Sequence, residues 1–256
     1  MDFSPSPRAQ EWHARLQAFM DRYLLPYNAA WHQAAQQGDY PPPFLQDLKQ
    51  LAREEGLWNL FLPTLRSDEP GTALSHLDYA PLAEHMGRLP WAAEVFNCNA
   101  PDSGNMELLH RFADKAQRET WLMPLLRGEI RSAFAMSEPD VASSDPTNLQ
   151  TTVRAEGDDL VIHGRKWFIT GASHPHCKLL IVLARNEGDD DHGHHSHSMV
   201  LVPMDTPGLT VERNIPVMDH VTGRVPDGCG KRAQTLFEFL IDYRESVCAN
   251  LLEFGA

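Results

Sequence analysis

Cations are scarce in this chain: 22 Lys and Arg stand against 35 Asp and Glu, a net charge of −13. That balance excludes a general nucleic-acid binder, which needs a basic patch or stripe, and it argues against an anionic membrane surface as partner. It leaves room for an anionic cofactor, because backbone N–H groups and a few local cations can hold one. Cysteine is equally sparse. Cys98, Cys177, Cys229 and Cys248 form no C-x-x-C pair, and four thiols in 256 residues are no disulfide framework, so free thiols in a reducing compartment are expected. Long apolar runs are missing too. Residues 178–184 are among the longest, far short of the ~18–20 residues of a spanning helix. The first seven residues carry an acid and two prolines, with neither the basic start of a signal peptide nor the Arg-rich look of a transit peptide. They read as a short tail on a cytoplasmic protein. No G-x-x-x-x-G-K-[ST], H-E-x-x-H or G-x-S-x-G occurs, which removes the phosphate-loop, zinc-protease and esterase signatures.

What is present is an ordinary globular composition, 42% hydrophobic and 22% charged, in a chain long enough to bury a sizeable core. Two regimes divide it. Up to about Gly128 the apolar residues fall at helical spacing. Trp12, Leu16, Phe19 and Tyr23 lie at i, i+4, i+7 and i+11, one face of a first helix, which Pro26 kinks and Gly38 closes. Phe44, Leu48 and Leu51 mark a second helix ending at Gly56. A third spans residues 75–87 with Pro81 inside it, and a fourth 105–112. Asp114 and Gln117 have the spacing of a capping box for a fifth, which stops at Gly128. From Ile130 the period becomes that of strands, expected at 132–137, 149–155, 159–169, 179–185, 198–203, 210–213 and 235–241. Glu156-Gly157-Asp158-Asp159 is a strong hairpin signal. The expected fold class is therefore α+β: an all-helical domain over residues 1–129, a small antiparallel β-barrel or sandwich over 130–245, and a short remainder at 246–256.

Four segments invite a chemical reading. His192, His194, His195 and His197 beside Asp189, Asp190 and Asp191 suit a transition metal. Consecutive loop residues do not readily converge on one ion, however, and a solvated polar loop is the preferred reading. Gly228-Cys229-Gly230-Lys231-Arg232-Ala233 matches a dinucleotide fingerprint, but no strand precedes it and no helix follows, so it is a chance match. Residues 134–145, Phe-Ala-Met-Ser-Glu-Pro-Asp-Val-Ala-Ser-Ser-Asp, run from a strand into a polar loop; a capped turn explains them as well as a site does. Gly164-Arg165-Lys166-Trp167-Phe168-Ile169-Thr170 ends a strand with two aromatics and a hydroxyl, which core and edge packing would also explain. Together the last two could form a flat, hydrogen-bonding wall for a planar ring system.

These two segments resemble the acyl-CoA dehydrogenase family, whose hallmark is an aromatic-x-x-[Ser/Thr]-Glu-Pro stretch followed by Gly-x-Lys-x-[Trp/Phe]-Ile-Thr. Residues 99–106, 140–145 and 198–208 are similar to the branch that in some eukaryotes is fused to a kinase-like domain. The resemblance runs from about residue 10 to Val217. It implies an FAD-dependent oxidoreductase of fatty-acid metabolism that removes hydrogens from the α and β carbons of an acyl-CoA thioester. Phe134, Met136 and Ser137 would touch the isoalloxazine ring. Ser144 would contact flavin and acyl-CoA, with Ser143 beside it hard to separate from that role. Phe168, Ile169 and Thr170 would lie against the flavin. Implied partners are acyl-CoA, electron-transfer flavoprotein or another electron acceptor, and further copies in a dimer or tetramer; no metal is implied.

After Val217 the match frays, and the C-terminal helical bundle that carries the family's catalytic glutamate has no counterpart up to Ala256. The expectation is that no catalytic base lies in this chain and that the chain alone does not dehydrogenate acyl-CoA. Three rivals stand beside this reading: a same-fold flavin monooxygenase, a non-catalytic flavin- or acyl-CoA-binding remnant that assembles with a full-length paralogue, and a fragment without function.

Overall fold

The computed structural model describes residues 4–37, 41–157, 159–188, 196–215, 234–243 and 251–252, the last two stretches as backbone only. Helix α1 (Pro7–Phe19) opens on Ser6, whose Oγ accepts the Ala9 N–H at 3.0 Å, with Pro7 in the first turn, where its missing N–H is harmless. Leu16 and Phe19 are buried, and Trp12 and Tyr23 pack against the same core, as the spacing predicts. The kink expected at Pro26 is a π-helical turn (Met20–Leu24) and a 3-10 turn (Leu25–Tyr27) leading into α2 (Asn28–Gln37). A proline has no N–H and crowds the preceding turn, so the ladder changes register before it. Gly38 lies outside the described residues. Helices α3 (Phe44–Glu54), α4 (His76–Met86) and α5 (Ala92–Val95) follow. The fourth expected helix, α6 (Asp102–Phe112), begins three residues earlier than its predicted start at Asn105. The capping box is present: Gln117 N–H donates to Asp114 Oδ1 at 2.8 Å, and Asp114 N–H to Gln117 Oε1 at 3.1 Å. It starts α7 (Lys115–Gln117), and a second π-turn (Arg118–Leu122) precedes α8 (Met123–Leu126), which holds Pro124.

The β half comprises β1 (Arg131–Ala135), β2 (Thr152–Glu156), β3 (Asp159–Thr170), β4 (Cys177–Asn186), β5 (His197–Pro203), β6 (Leu209–Ile215), β7 (Gln234–Tyr243) and β8 (Leu251–Leu252). Their order is β6-β7-β3-β2-β4-β5-β8, with β1 also on β4. The helical-then-β division is as expected, but the sheet is mixed rather than antiparallel. β1 pairs with the first half of β4, and β2 with its end, both in parallel, while β5 takes the other edge antiparallel. Alternation of apolar residues identifies a strand; it carries no direction of pairing, which is why the parallel contacts were not foreseen. β4 is buried on both faces. Leu179 and Ile181 join the helical core, and Leu180, Val182 and Ala184 join the core of the β half. The apolar run 178–184 is therefore that of a central strand.

A buried chain of charges ties the halves together. Lys49 of α3 donates to Glu94 of α5 at 3.0 Å, and Glu94 lies 2.9 Å from Arg131 of β1. Arg131 Nε donates to Asp102 of α6. Asp102 also accepts the N–H and the hydroxyl of Ser132, both at 2.7 Å, and Asn105 donates to that hydroxyl at 2.9 Å. Every one of these side chains is buried, so each charge needs the neighbour it has. The arrangement fixes where β1 leaves the helical half, two residues before Phe134.

Candidate functional site

Two segments meet beyond β1. The chain from Phe134 to Asp145 leaves the end of β1, and the last turn of β3 passes beside it. Three bonds join them. Lys166 Nζ donates to Met136 O at 2.9 Å and to Glu138 Oε1 at 2.8 Å, and Trp167 N–H donates to Ser137 O at 3.0 Å. Glu138 is itself enclosed, accepting the Gln150 N–H at 2.7 Å and the Thr151 N–H at 2.9 Å. The Lys166 side chain is fully buried and that of Glu138 nearly so. Burial works against the Glu138 charge, but the Lys166 ammonium and the Thr151 and Gln150 donors outweigh it and hold the carboxyl below the usual carboxylate range. The pair is thus a charged clamp. Gly164 makes the close approach possible: a Cβ there would stand 2.2 Å from Thr151 Oγ1.

At the end of β3 the pairing with β7 shifts register between Lys166 and Ile169, a bulge of one residue. Phe168 sits in it at φ +55°, a region a bulky residue occupies only when its surroundings demand it. The residue is 37% exposed, and its ring packs on Trp167 with centroids 4.5 Å apart. Alternation alone would have turned one aromatic in and one out; the bulge turns Phe168 to the surface beside the clamp.

The predicted site residues fall into three groups. Met136, Ser137 and Phe168 lie on the two segments that the clamp joins, Phe134 packs against the helical core from β1, and Thr170 ends β3, all at intermediate exposure except the more exposed Phe168. Among the described residues, the hydroxyls of Ser137, Ser144 and Thr170 make no hydrogen bond, so they are available to a ligand. Ser143 and Ser144, not separable in the sequence, differ here: the Ser143 hydroxyl accepts the Glu138 N–H at 2.8 Å, while Ser144 is exposed. Ile169 is buried in the β core. His192, His194, His195 and the 228–233 fingerprint match lie outside the described residues.

Sequence reasoning missed the clamp, although it quoted both partners. The signal was there: Lys166 shares the strand phase of Leu160 and Ile162, whose side chains are buried, and a lysine on an inward phase requires a counter-ion. It also missed the Asp102–Arg131–Glu94 chain, whose members come from three elements with no common spacing.

A helical half docked on a mixed sheet, with an aromatic and free hydroxyls at a strand-end bulge, defines a protein of the acyl-CoA dehydrogenase type. The sequence profile for the acyl-CoA dehydrogenase N-terminal domain matches residues 6–129, and that for the middle domain residues 133–224. The chain belongs to the acyl-CoA dehydrogenase family. It is 49% identical over 222 residues to "Probable acyl-CoA dehydrogenase FadE2" of Mycobacterium tuberculosis, covering 85% of this chain and 53% of that protein. It is 43% identical over 231 residues to acyl-CoA dehydrogenase family member 11 of Rattus norvegicus, covering 86% and 29%. A solved "putative acyl-CoA dehydrogenase" of Mycobacterium abscessus superposes with a TM-score of 0.86 at 46% identity, covering 98% of this chain and 62% of that one. The chain thus spans about half the length of FadE2. No helix among the described residues is long and apolar enough to cross a membrane.

Proposed function

We propose that this chain forms the flavin-facing part of an FAD-dependent acyl-CoA dehydrogenase acting on the α and β carbons of an acyl-CoA thioester. The observation that carries the reading is the pairing of two uncommitted hydroxyls, Ser137 and Thr170, with the half-exposed Phe168 ring on strand ends that the Lys166–Glu138 clamp holds together. Aromatic surface suits a planar ring system, and hydroxyls suit its polar edge, so the residues present fit a flavin. When bound, the flavin supplies the two-electron redox chemistry; the protein orients it and tunes it. In this reading Phe168, Phe134 and Met136 give the ring an apolar wall. Ser137 and Thr170 hydrogen-bond its polar atoms, and Ser144 is exposed toward the thioester or its carrier. Glu138 is not the proton-abstracting base. Its carboxylate already accepts three donors, and a base must be free to reach its proton. Acyl-CoA, an electron acceptor such as electron-transfer flavoprotein, and further copies of the chain are the partners of this reading. A cytoplasmic setting goes with it, since Cys98 and Cys177 are free and buried thiols.

The test is FAD titration of the purified protein, followed by fluorescence. Thr170→Val and Ser137→Ala each remove one hydrogen bond worth on the order of 1 kcal/mol, about fivefold in affinity. Unchanged affinity in both variants would show that these hydroxyls do not meet the cofactor.

A further inference from the structure

We infer that Lys166 and Glu138 are positioning residues for the cofactor: their ion pair sets the flavin-binding shape of the Met136–Ser137 backbone and the Phe168 bulge. The inference rests on the functional reading above and adds a role to two residues that have no free polar surface of their own.

The geometry gives Lys166 a task beyond charge balance. One proton of its ammonium goes to Glu138, and another goes to the carbonyl of Met136, so the lysine grips the backbone between two of the proposed flavin contacts. The next residue of β3 repeats the grip, Trp167 N–H donating to the carbonyl of Ser137. That N–H is drawn to Ser137 where the β3–β7 register slips, and the next residue, Phe168, takes up φ +55°. A strained residue persists only where its neighbours over-determine it, and here the bonds from Lys166 and Trp167 do so. Glu138 anchors the far side. It is bound to Gln150 and Thr151, Thr151 is seated on Gly164, and the Glu138 N–H is held by Ser143. Loop, lysine and bulge therefore move as one body, and losing either charge frees Phe168 and Met136 together.

Lys166→Met removes the grip on Met136. Glu138→Gln keeps the volume but turns an amide N–H toward a backbone N–H, because Gln150 and Thr151 both point donors at the carboxylate. The control is Glu69→Gln in the helical half. Glu69 is an equally buried carboxylate, bound to Arg118, His110 and the Arg66 N–H, and it shares no partner with the site.

FAD titration is run well below each variant's unfolding midpoint, so that the folded protein alone is read. Lys166→Met and Glu138→Gln are expected to weaken FAD by about fivefold or more, at least the effect of one lost hydrogen bond, while Glu69→Gln lowers the midpoint and leaves affinity unchanged. If the unmodified chain does not take up FAD at all, the functional reading falls and this inference with it. If it does, and both clamp variants bind as tightly as the unmodified chain, or no worse than Glu69→Gln, the clamp is structural only and the inference alone is overturned. Should Lys166→Met fail to fold, Glu138→Gln decides.

Discussion

Replacing Asp102 with alanine should strongly destabilise this protein. Asp102 is 1% exposed and accepts from the Arg131 guanidinium, the Ser132 N–H and the Ser132 hydroxyl. The buried chain Lys49–Glu94–Arg131–Asp102 holds two positive and two negative groups, so it is neutral as a whole. Alanine leaves one net positive charge in a buried site and strands the Ser132 N–H at the head of β1. Breaking a buried pair from one side costs about 3–5 kcal/mol, which in a protein of this size lowers the thermal midpoint by roughly 6–20 °C. The decisive measurement is the double variant Asp102→Ala with Arg131→Met, followed by urea denaturation. It restores neutrality and leaves the Lys49–Glu94 pair intact. The double variant should therefore be less destabilised than the sum of the two single variants by about 1.5 kcal/mol or more. A loss below about 1 kcal/mol for Asp102→Ala, or strict additivity of the two changes, would show that the charges act independently and refute the reasoning.

Gly164→Ala should destabilise by about 1–3 kcal/mol, the usual result of forcing a methyl group into occupied space, because its Cβ would overlap Thr151; an unchanged urea midpoint would count against the close approach. His174 is kept neutral, burial and the nearby Arg131 charge lowering its pKa to about 3 from 6.5. Between those values the unfolded chain binds a proton that the folded one refuses, so stability falls as pH drops below 6.5, at up to about 1.4 kcal/mol per pH unit. His174→Asn should flatten that limb, and parallel pH profiles would argue against it. Cys98, its thiol pushed up to about 12 chiefly by burial, should resist thiol reagents in the folded protein and react on unfolding; rapid labelling of the native state would contradict its burial.

The helical half was readable because its signals are local. Trp12, Leu16 and Phe19 repeat on one face, Asp114 and Gln117 cap their own turn, and the strands show themselves by alternation. Pairing direction was not readable: β1 and β2 share an edge of β4 across long stretches of chain, and nothing in either strand names its partner. The start of α6 was misjudged because Pro101 caps it without a side-chain bond, leaving no residue-type signal. For the site, motif residues singled out Phe134, Ser137, Phe168 and Thr170 as candidates. Their support was hidden, since Glu138 meets Gln150 and Thr151 twelve and thirteen residues on and Lys166 twenty-eight residues on. Such contacts depend on tertiary placement and leave no period behind.

The parallel seat of β1 on β4 also imposes an order of events. Arg131 is matched to Cys177, 46 residues further along the chain. The helical half is rich in local contacts that form quickly, but β1 has no strand partner until β4 has been made. During synthesis, at about 5–20 residues per second, β1 with Phe134 waits several seconds without its strand partner. Meanwhile only Asp102 and the helices behind it can hold the emerging strand by its first residues. The buried charges at the head of β1 are thus placed where a waiting strand needs a tether, and the seat of Phe134 cannot be completed until β4 has emerged.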